Sequence, residues 1–354
     1  MATTYIIDPN GDVIIRLRNY DAPFAVLDNN TEPYIPTKNP PVFTFGDYLK
    51  EPKKEPQSPS NGLGENTVSS EVANELFKTP IHLLQVSSAH LILASRYFKA
   101  ALCGPFEKSR SGGDGIRHID ASDWDTEALL IVLRIIHGQN RQVPKSLDLD
   151  MLAKVAVVVD YYKCYEAVEA FVDIWSRRRI RASLPFTLDR DLVLRIYVSW
   201  VFRWRGEFED ATESFLQHSK GPLRSLNLPI PENIISTINE RRIALLRKIN
   251  SKLEGLVSRF RKEPPECSFE CASMNLGALS RQIHNNRDLN RLGQLFGSHE
   301  GRSFASTVKA ARKIRSPGWF CPNSCCRLDQ LVKREIGKLE NLDGLSLDDF
   351  EQAV

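Results

Sequence analysis

Residues 86–109, VSSAHLILASRYFKAALCGPFEKS, restrict the fold more than any other segment of this 354-residue chain. An apolar strand end runs into a helix whose large side chains return at Leu91, Phe98 and Leu102, with Ser95 among them. Separations of four, three and four residues place all four positions on one helix face. A helix with one continuous apolar stripe has to bury it against a sheet or another helix. Ser87 stands ahead of the run as an N-cap, since a serine hydroxyl can accept a first-turn amide.

The surrounding segments supply a sheet. GDVIIRLRN, residues 11–19, alternates apolar and polar side chains after an Asn-Gly turn, the pattern of a half-buried strand. IHLLQVS (81–87) is a second strand and IRHID (116–120) a short third one. Ser122 or Asp123 is expected to cap a helix over DTEALLIVLRIIHG that stops at Gly138. Two more helices follow, in SLDLDMLAKVAVVVDYYKC and YEAVEAFVDIWSRR. Between the first two strands, residues 31–79 carry Pro33, Pro36, Pro40, Pro41, Pro52, Pro56 and Pro59. Such a stretch has too little apolar surface to offset the entropy of ordering it, so a disordered insertion is expected, with VFTFGDYL (42–49) a small docked exception.

The ordered set of strand, strand, Leu91-Ser95-Phe98-Leu102 helix, short strand and three helices resembles the BTB (POZ) family. With its DPNGDV, VSSAHLILAS and VAVVVDYYKC segments, the chain is similar to fungal BTB-domain proteins. The resemblance covers about 20 residues at the start and roughly residues 80–180. It implies an α+β fold, a small sheet with helices, and recognition of proteins, either a second BTB domain or a cullin scaffold. Where many animal members carry a helix-opening His, this chain has Ser87. Swapped dimers in the family use an extra helix and strand ahead of the first core strand, but only about ten residues precede Gly11 here. Cullin-binding members place an apolar residue, any residue and then Glu after the signature helix. The matching positions are Phe106, Glu107 and Lys108, a reversed charge that argues against adaptor activity.

An all-α region follows. Helices are expected at 189–204 and 207–219, and a longer one begins with Pro231 in its first turn and stops before Pro264-Pro265. Ile235, Ile238, Leu245, Ile249, Leu253, Leu256 and Phe260 form a seam interrupted at Arg242. The interruption favours a helix packed within its own chain over a dimerising coiled coil. Three regions result: residues 1–182, BTB-like with the insertion; 183–265, helical with the long helix; and 266–354, a Cys-containing helical tail.

Seven Cys include Cys267-x3-Cys271 and, about 50 residues later, Cys321-x3-Cys325 with Cys326 adjacent. Two short-spaced thiolate pairs suit tetrahedral structural zinc, with Cys267, Cys271, Cys321 and Cys325 as ligands. Small buried thiols explain the same residues without metal. His284 and His299 lie between the pairs and are not taken as ligands, while Cys103 and Cys164 read as packing on helix faces.

A net charge of +3 is too small to argue for nucleic acid by itself. Arg177, Arg178, Arg179 and Arg181 cluster after the last BTB-like helix. Arg241, Arg242, Arg247, Lys248, Lys252, Arg259, Arg261 and Lys262 enrich the long helix. A solvated basic face is the simpler account of both, with DNA contact by a zinc-stapled tail, as in a nuclear regulator, the competing one. There is no Gly-rich phosphate loop, Gly-x-Ser-x-Gly elbow or His-Glu-x-x-His helix, so no enzyme is expected. Carboxylate pairs such as Asp148 and Asp150 sit where helix starts favour them. The first residues turn polar too early for a secretory signal, and ALLIVLRII, broken by Arg134, is too short to span a bilayer. A nuclear or cytoplasmic protein with mostly reduced thiols is expected, with protein partners and no membrane.

Overall fold

The computed structural model describes residues 2–27, 81–104, 115–178, 190–290, 301–318, 326–339 and 342–350. The Pro-rich excursion at 31–79 lies outside the described residues. Four strands, β1 (Thr3–Ile6), β2 (Val13–Arg18), β3 (His82–Val86) and β4 (Arg117–Ser122), form one sheet in the order β1-β3-β2-β4. The β2–β3 pairing is antiparallel, while β1–β3 and β2–β4 are parallel. Ile15 stands opposite Leu84 on one side and Ile119 on the other, an apolar row across three strands that is wholly buried. On the opposite face of β2, Arg16 pairs with Asp120 of β4 at 2.8 Å.

Strand β1 was not expected from the polar sequence TTYI. Its pairing uses the outer edge of β3, and Tyr5 meets the buried ring of His82 edge-on at 5.3 Å. Backbone bonding and one aromatic contact thus hold a segment that has almost no apolar alternation.

The signature segment is two helices, not one. The first, α1 (Ser88–Ala94), ends at Ser95, whose backbone is extended (φ −140°, ψ 123°), and α2 (Arg96–Cys103) begins there. Ser95 caps α2 by accepting the Phe98 amide at 3.0 Å and donates its hydroxyl to the Tyr162 carbonyl. That competition by a short polar side chain replaces the continuous helix. Leu91, Ser95, Phe98 and Leu102 are nevertheless all buried. Ser87 is the N-cap of α1 by position, yet its side chain makes no capping bond. Asp12 supplies the cap from the start of β2, taking the Ser88 amide at 2.8 Å and the Ser88 hydroxyl at 2.7 Å.

Helix α3 (Thr126–Ile136) is apolar almost all round because it lies inside the unit, packed on α1, α4 (Leu149–Tyr162) and α5 (Tyr165–Arg178). Its cap is Asp125, not Ser122 or Asp123: the former closes β4, and the latter turns with φ 67°. Gly138 terminates it with φ 72°. Helix α6 (Arg190–Val201) packs on α4 and on α7 (Arg205–His218), so the helical region continues the front unit's interior. The buried apolar side chains form one cluster from Ile7 to Phe350.

The long helix α8 (Glu232–Arg261) has Pro231 as its N-cap, one residue ahead of the expected first-turn position. Its buried stripe packs within the chain, on α7, α9 (Phe269–Asn285), α10 (Phe304–Arg312) and α11 (Leu328–Gly337). Arg242, the apparent break in the seam, is itself buried, and its guanidinium donates to the carbonyls of Ser219 at 3.4 Å and Arg302 at 2.9 Å.

Candidate functional site

Three places in the fold carry chemistry worth weighing. The first is the strand–helix junction of the front unit. Burial works against ionisation of Asp12, but the Ser88 amide and hydroxyl and the Arg117 guanidinium outweigh it and hold the carboxyl below its usual range. Behind α1, His137 Nε2 accepts the Ser87 amide at 3.0 Å, and His90 stacks on His137 at 4.9 Å. Phe98 stacks on Tyr162 at 4.5 Å, and Trp124 donates to the Tyr162 hydroxyl at 3.1 Å. The junction is therefore densely hydrogen-bonded and stacked, while its rim is apolar in places. Leu93 on α1 is 89% exposed and Ile6 on the edge strand 61%. Phe106, Glu107 and Lys108 lie outside the described residues.

A charge network fastens this unit to the helices behind it. Lys154 bridges Asp125 at 2.9 Å and Asp150 at 3.2 Å; Arg190 bonds Asp150 and donates to the carbonyls of Ala25 at 3.0 Å and Phe24 at 3.2 Å. Asp150 resists desolvation because Arg190 and Lys154 hydrogen-bond it, so its carboxyl sits below the usual range. The sequence reading of Asp150 as a helix-start residue missed this linking role, and its neighbour Asp148 does cap α4 through the Met151 amide.

The second place is an open cleft of about 690 Å3 between the start of α5 and the α6–α7 turn, lined in part by Asp160, Lys163, Tyr165, Trp200 and Arg203. Asp160 is engaged by Lys163 at 2.8 Å and by the Tyr165 hydroxyl. Arg203 lies over the Trp200 ring at 5.3 Å. Burial first, and then the Asp160 charge, push the Tyr165 phenol upward, away from a reactive phenolate. Nothing in the sequence reading pointed to this cleft, because its wall is assembled from three separate helices and a Pro-containing loop.

The third is a group of thiols. Cys267 and Cys271 meet Cys326, and the three sulfurs lie within 4.8 Å of one another. Cys321 and Cys325 lie outside the described residues, as does His299, and His284 is exposed on α9. Cys164 is buried, with its thiol pushed up to about 12 by desolvation, as a packing residue would be. Cys103 is exposed on α2, contrary to the packing role expected for it, because Phe98 and Leu102 occupy that helix's inner face.

Arg178 ends α5, and Arg179 and Arg181 lie outside the described residues. Four of the basic residues of α8 are turned to internal partners: Arg241 to the Gly344 and Asp343 carbonyls, Arg242 as above, Lys252 to Glu335, and Arg259 to Glu266. Among the described residues no helix is long and apolar enough to cross a membrane. Comparison with protein-family models, with curated proteins and with solved structures finds no match to this chain.

Proposed function

We propose that this protein is a non-catalytic interaction protein, in which a BTB-like front unit recognises a protein partner or a second copy of the chain and the helical region presents it. One observation carries the reading: Leu91, Phe98 and Leu102 are interior side chains of a compact unit in which β2 pairs with β3 across the interposed Pro-rich excursion. The rim agrees with it, since Leu93 and Ile6 expose large apolar side chains beside a junction held by Asp12, His137 and Ser95. Contact of the tail with nucleic acid has weaker support, because so much of the basic character of α8 is spent on carbonyls and carboxylates of its own chain.

The test uses the full chain. Light scattering across a concentration series measures self-association, and affinity capture with quantitative mass spectrometry measures partners. Leu93→Glu and Ile6→Glu, both at exposed positions, should weaken whichever association is found and leave the melting temperature within a few degrees. A chain that stays monomeric at high concentration and captures no protein above a Leu93→Glu control removes the proposal.

A further inference from the structure

We propose that Cys267, Cys271 and Cys326 form a thiolate site for one zinc ion that ties the start of α9 to the start of α11, independently of what the front unit binds. Cys267 precedes the N-cap Ser268, and Cys271 follows in the first turn, where its amide is capped by the Ser268 hydroxyl at 3.2 Å. This local geometry brings two thiols one turn apart to the same end of α9. Cys326 arrives two residues ahead of α11 and is buried. The sequence reading names Cys325 as the ligand, with Cys326 adjacent; among the described residues the packing of α11 on α8 presents Cys326 to the first pair.

The distances suit the ion. Four ligands around zinc with Zn–S near 2.3 Å stand about 3.8 Å apart. Three sulfurs within 4.8 Å need to close by only about 1 Å, a movement available to Cys side-chain rotation. A cavity of about 20 Å3 opens between Cys267, Cys271, Cys326, Arg259, Phe260 and Glu266. That is room for about one water-sized occupant.

The surroundings favour charge on sulfur. The amides of the first turn of α9 favour anions. Asn275, buried one turn on, donates its amide to Cys271 Sγ at 3.5 Å and to the Cys271 carbonyl at 3.0 Å, an outer-shell contact of the kind that orients a ligand. Arg259 and Glu266 neutralise each other at 2.7 Å across the same cavity. Among the described residues no disulfide joins these cysteines to one another. Binding replaces three S–H bonds by three Zn–S bonds, releases three protons to solvent, and leaves a fourth position for a further donor.

The experiment is metal analysis and cobalt substitution on the full chain purified under reducing conditions without chelator. About one zinc per chain is expected, and cobalt should give the intense visible and near-ultraviolet absorption of tetrahedral thiolate coordination. Zinc should also shield three thiols from a thiol reagent, and chelator should release them together. Cys326→Ser and Cys271→Ser should lose the cobalt spectrum, whereas Cys103→Ser should keep it. If these variants fail to fold, shielding of the parent chain's thiols by added zinc still decides. No zinc after incubation with the ion, reagent reactivity unchanged by zinc, a disulfide between two of the three cysteines in the purified chain, or a spectrum retained in Cys326→Ser and lost in Cys325→Ser would each overturn the assignment.

Discussion

His137 accepts the Ser87 amide N–H on Nε2 at 3.0 Å, and on the other side of its ring Nδ1 donates to the Leu133 carbonyl at 2.8 Å. An amide can only donate, so Nε2 must be unprotonated and the imidazole neutral. The ring closes α3 and secures the start of α1 at once, linking residues 50 positions apart.

Acid should therefore loosen the front unit. Burial lowers the His137 pKa and stacked His90 adds to this, against the opposing pull of the Leu133 carbonyl and Asp8. A base whose folded pKa is depressed binds more protons when unfolded, so its stabilisation is complete above the ordinary imidazole value near 6.5 and declines as pH falls toward the folded pKa. Thermal melts of the full chain at closely spaced pH values from 8 to 5 should show this fall. His137→Gln, which retains an acceptor, should start about 1 kcal/mol lower at pH 8 and show a shallower slope. An identical slope in the variant would assign the acid response elsewhere.

Ser95 is the polar hinge of the signature segment. Its hydroxyl serves two buried groups, the Phe98 amide and the Tyr162 carbonyl, which belong to different helices. Ser95→Ala leaves both without that partner and should cost about 1–3 kcal/mol. Phe98→Ala removes a fully buried ring and should cost about 3–5 kcal/mol. Urea midpoints with an unchanged denaturant slope check both, and a Ser95→Ala chain as stable as its parent would mean the break between α1 and α2 is held by packing alone.

These contacts show what periodicity can and cannot reveal. Leu91, Phe98 and Leu102 were legible as buried because large apolar side chains recur at helical spacing, with Phe98 and Leu102 one turn apart on α2, and the alternation of Val13, Ile15 and Leu17 was legible from its own local period. Asp12 capping α1 was not, since a carboxylate 76 residues from its partner leaves no local pattern. Arg242 read as a flaw in an apolar seam because its acceptors, at Ser219 and Arg302, come from other elements. At the thiols, the short spacing of Cys267 and Cys271 was legible, but their meeting with Cys326 was not, because it depends on the packing of α11 on α8, which leaves no local pattern.

Gly11 is required by a close approach of backbones. A Cβ there would sit 2.5 Å from the Val86 carbonyl oxygen and 2.9 Å from that of Asp8, at the point where β2 leaves its turn beside β3. Gly11→Ala must push β2 away from β3 and should cost on the order of 1–3 kcal/mol. Gly255 is the contrasting case: it lies inside α8, a Cβ there meets nothing within 4 Å, and Gly255→Ala should stabilise by about 0.5–1 kcal/mol through helix propensity. Paired denaturation curves of the two variants check the signs, and a neutral Gly11→Ala would mean the strands yield at this point.

Arg242 poses a sharper energetic question. Replacing a buried ion pair by apolar side chains can leave a protein as stable as before, because the desolvation of both charges is recovered. Among its contacts here, however, Arg242 serves the Ser219 carbonyl, which closes α7, and the Arg302 carbonyl ahead of α10. The Ser219 contact is buried and the Arg302 contact part-buried, so removing the guanidinium strips donors from carbonyls that water reaches poorly. Arg242→Met should therefore destabilise by about 2 kcal/mol or more, since each buried carbonyl stripped of its donor costs about 1–3 kcal/mol. Arg242→Lys should fall between, because a single ammonium cannot span two carbonyls as a planar fork does. Arg247→Met, on the exposed side of the same helix, should stay within about 0.5 kcal/mol of the parent. Urea titration of the three variants separates the cases, and an Arg242→Met chain at least as stable as its parent would show that water or a shift of α10 satisfies those carbonyls in its place.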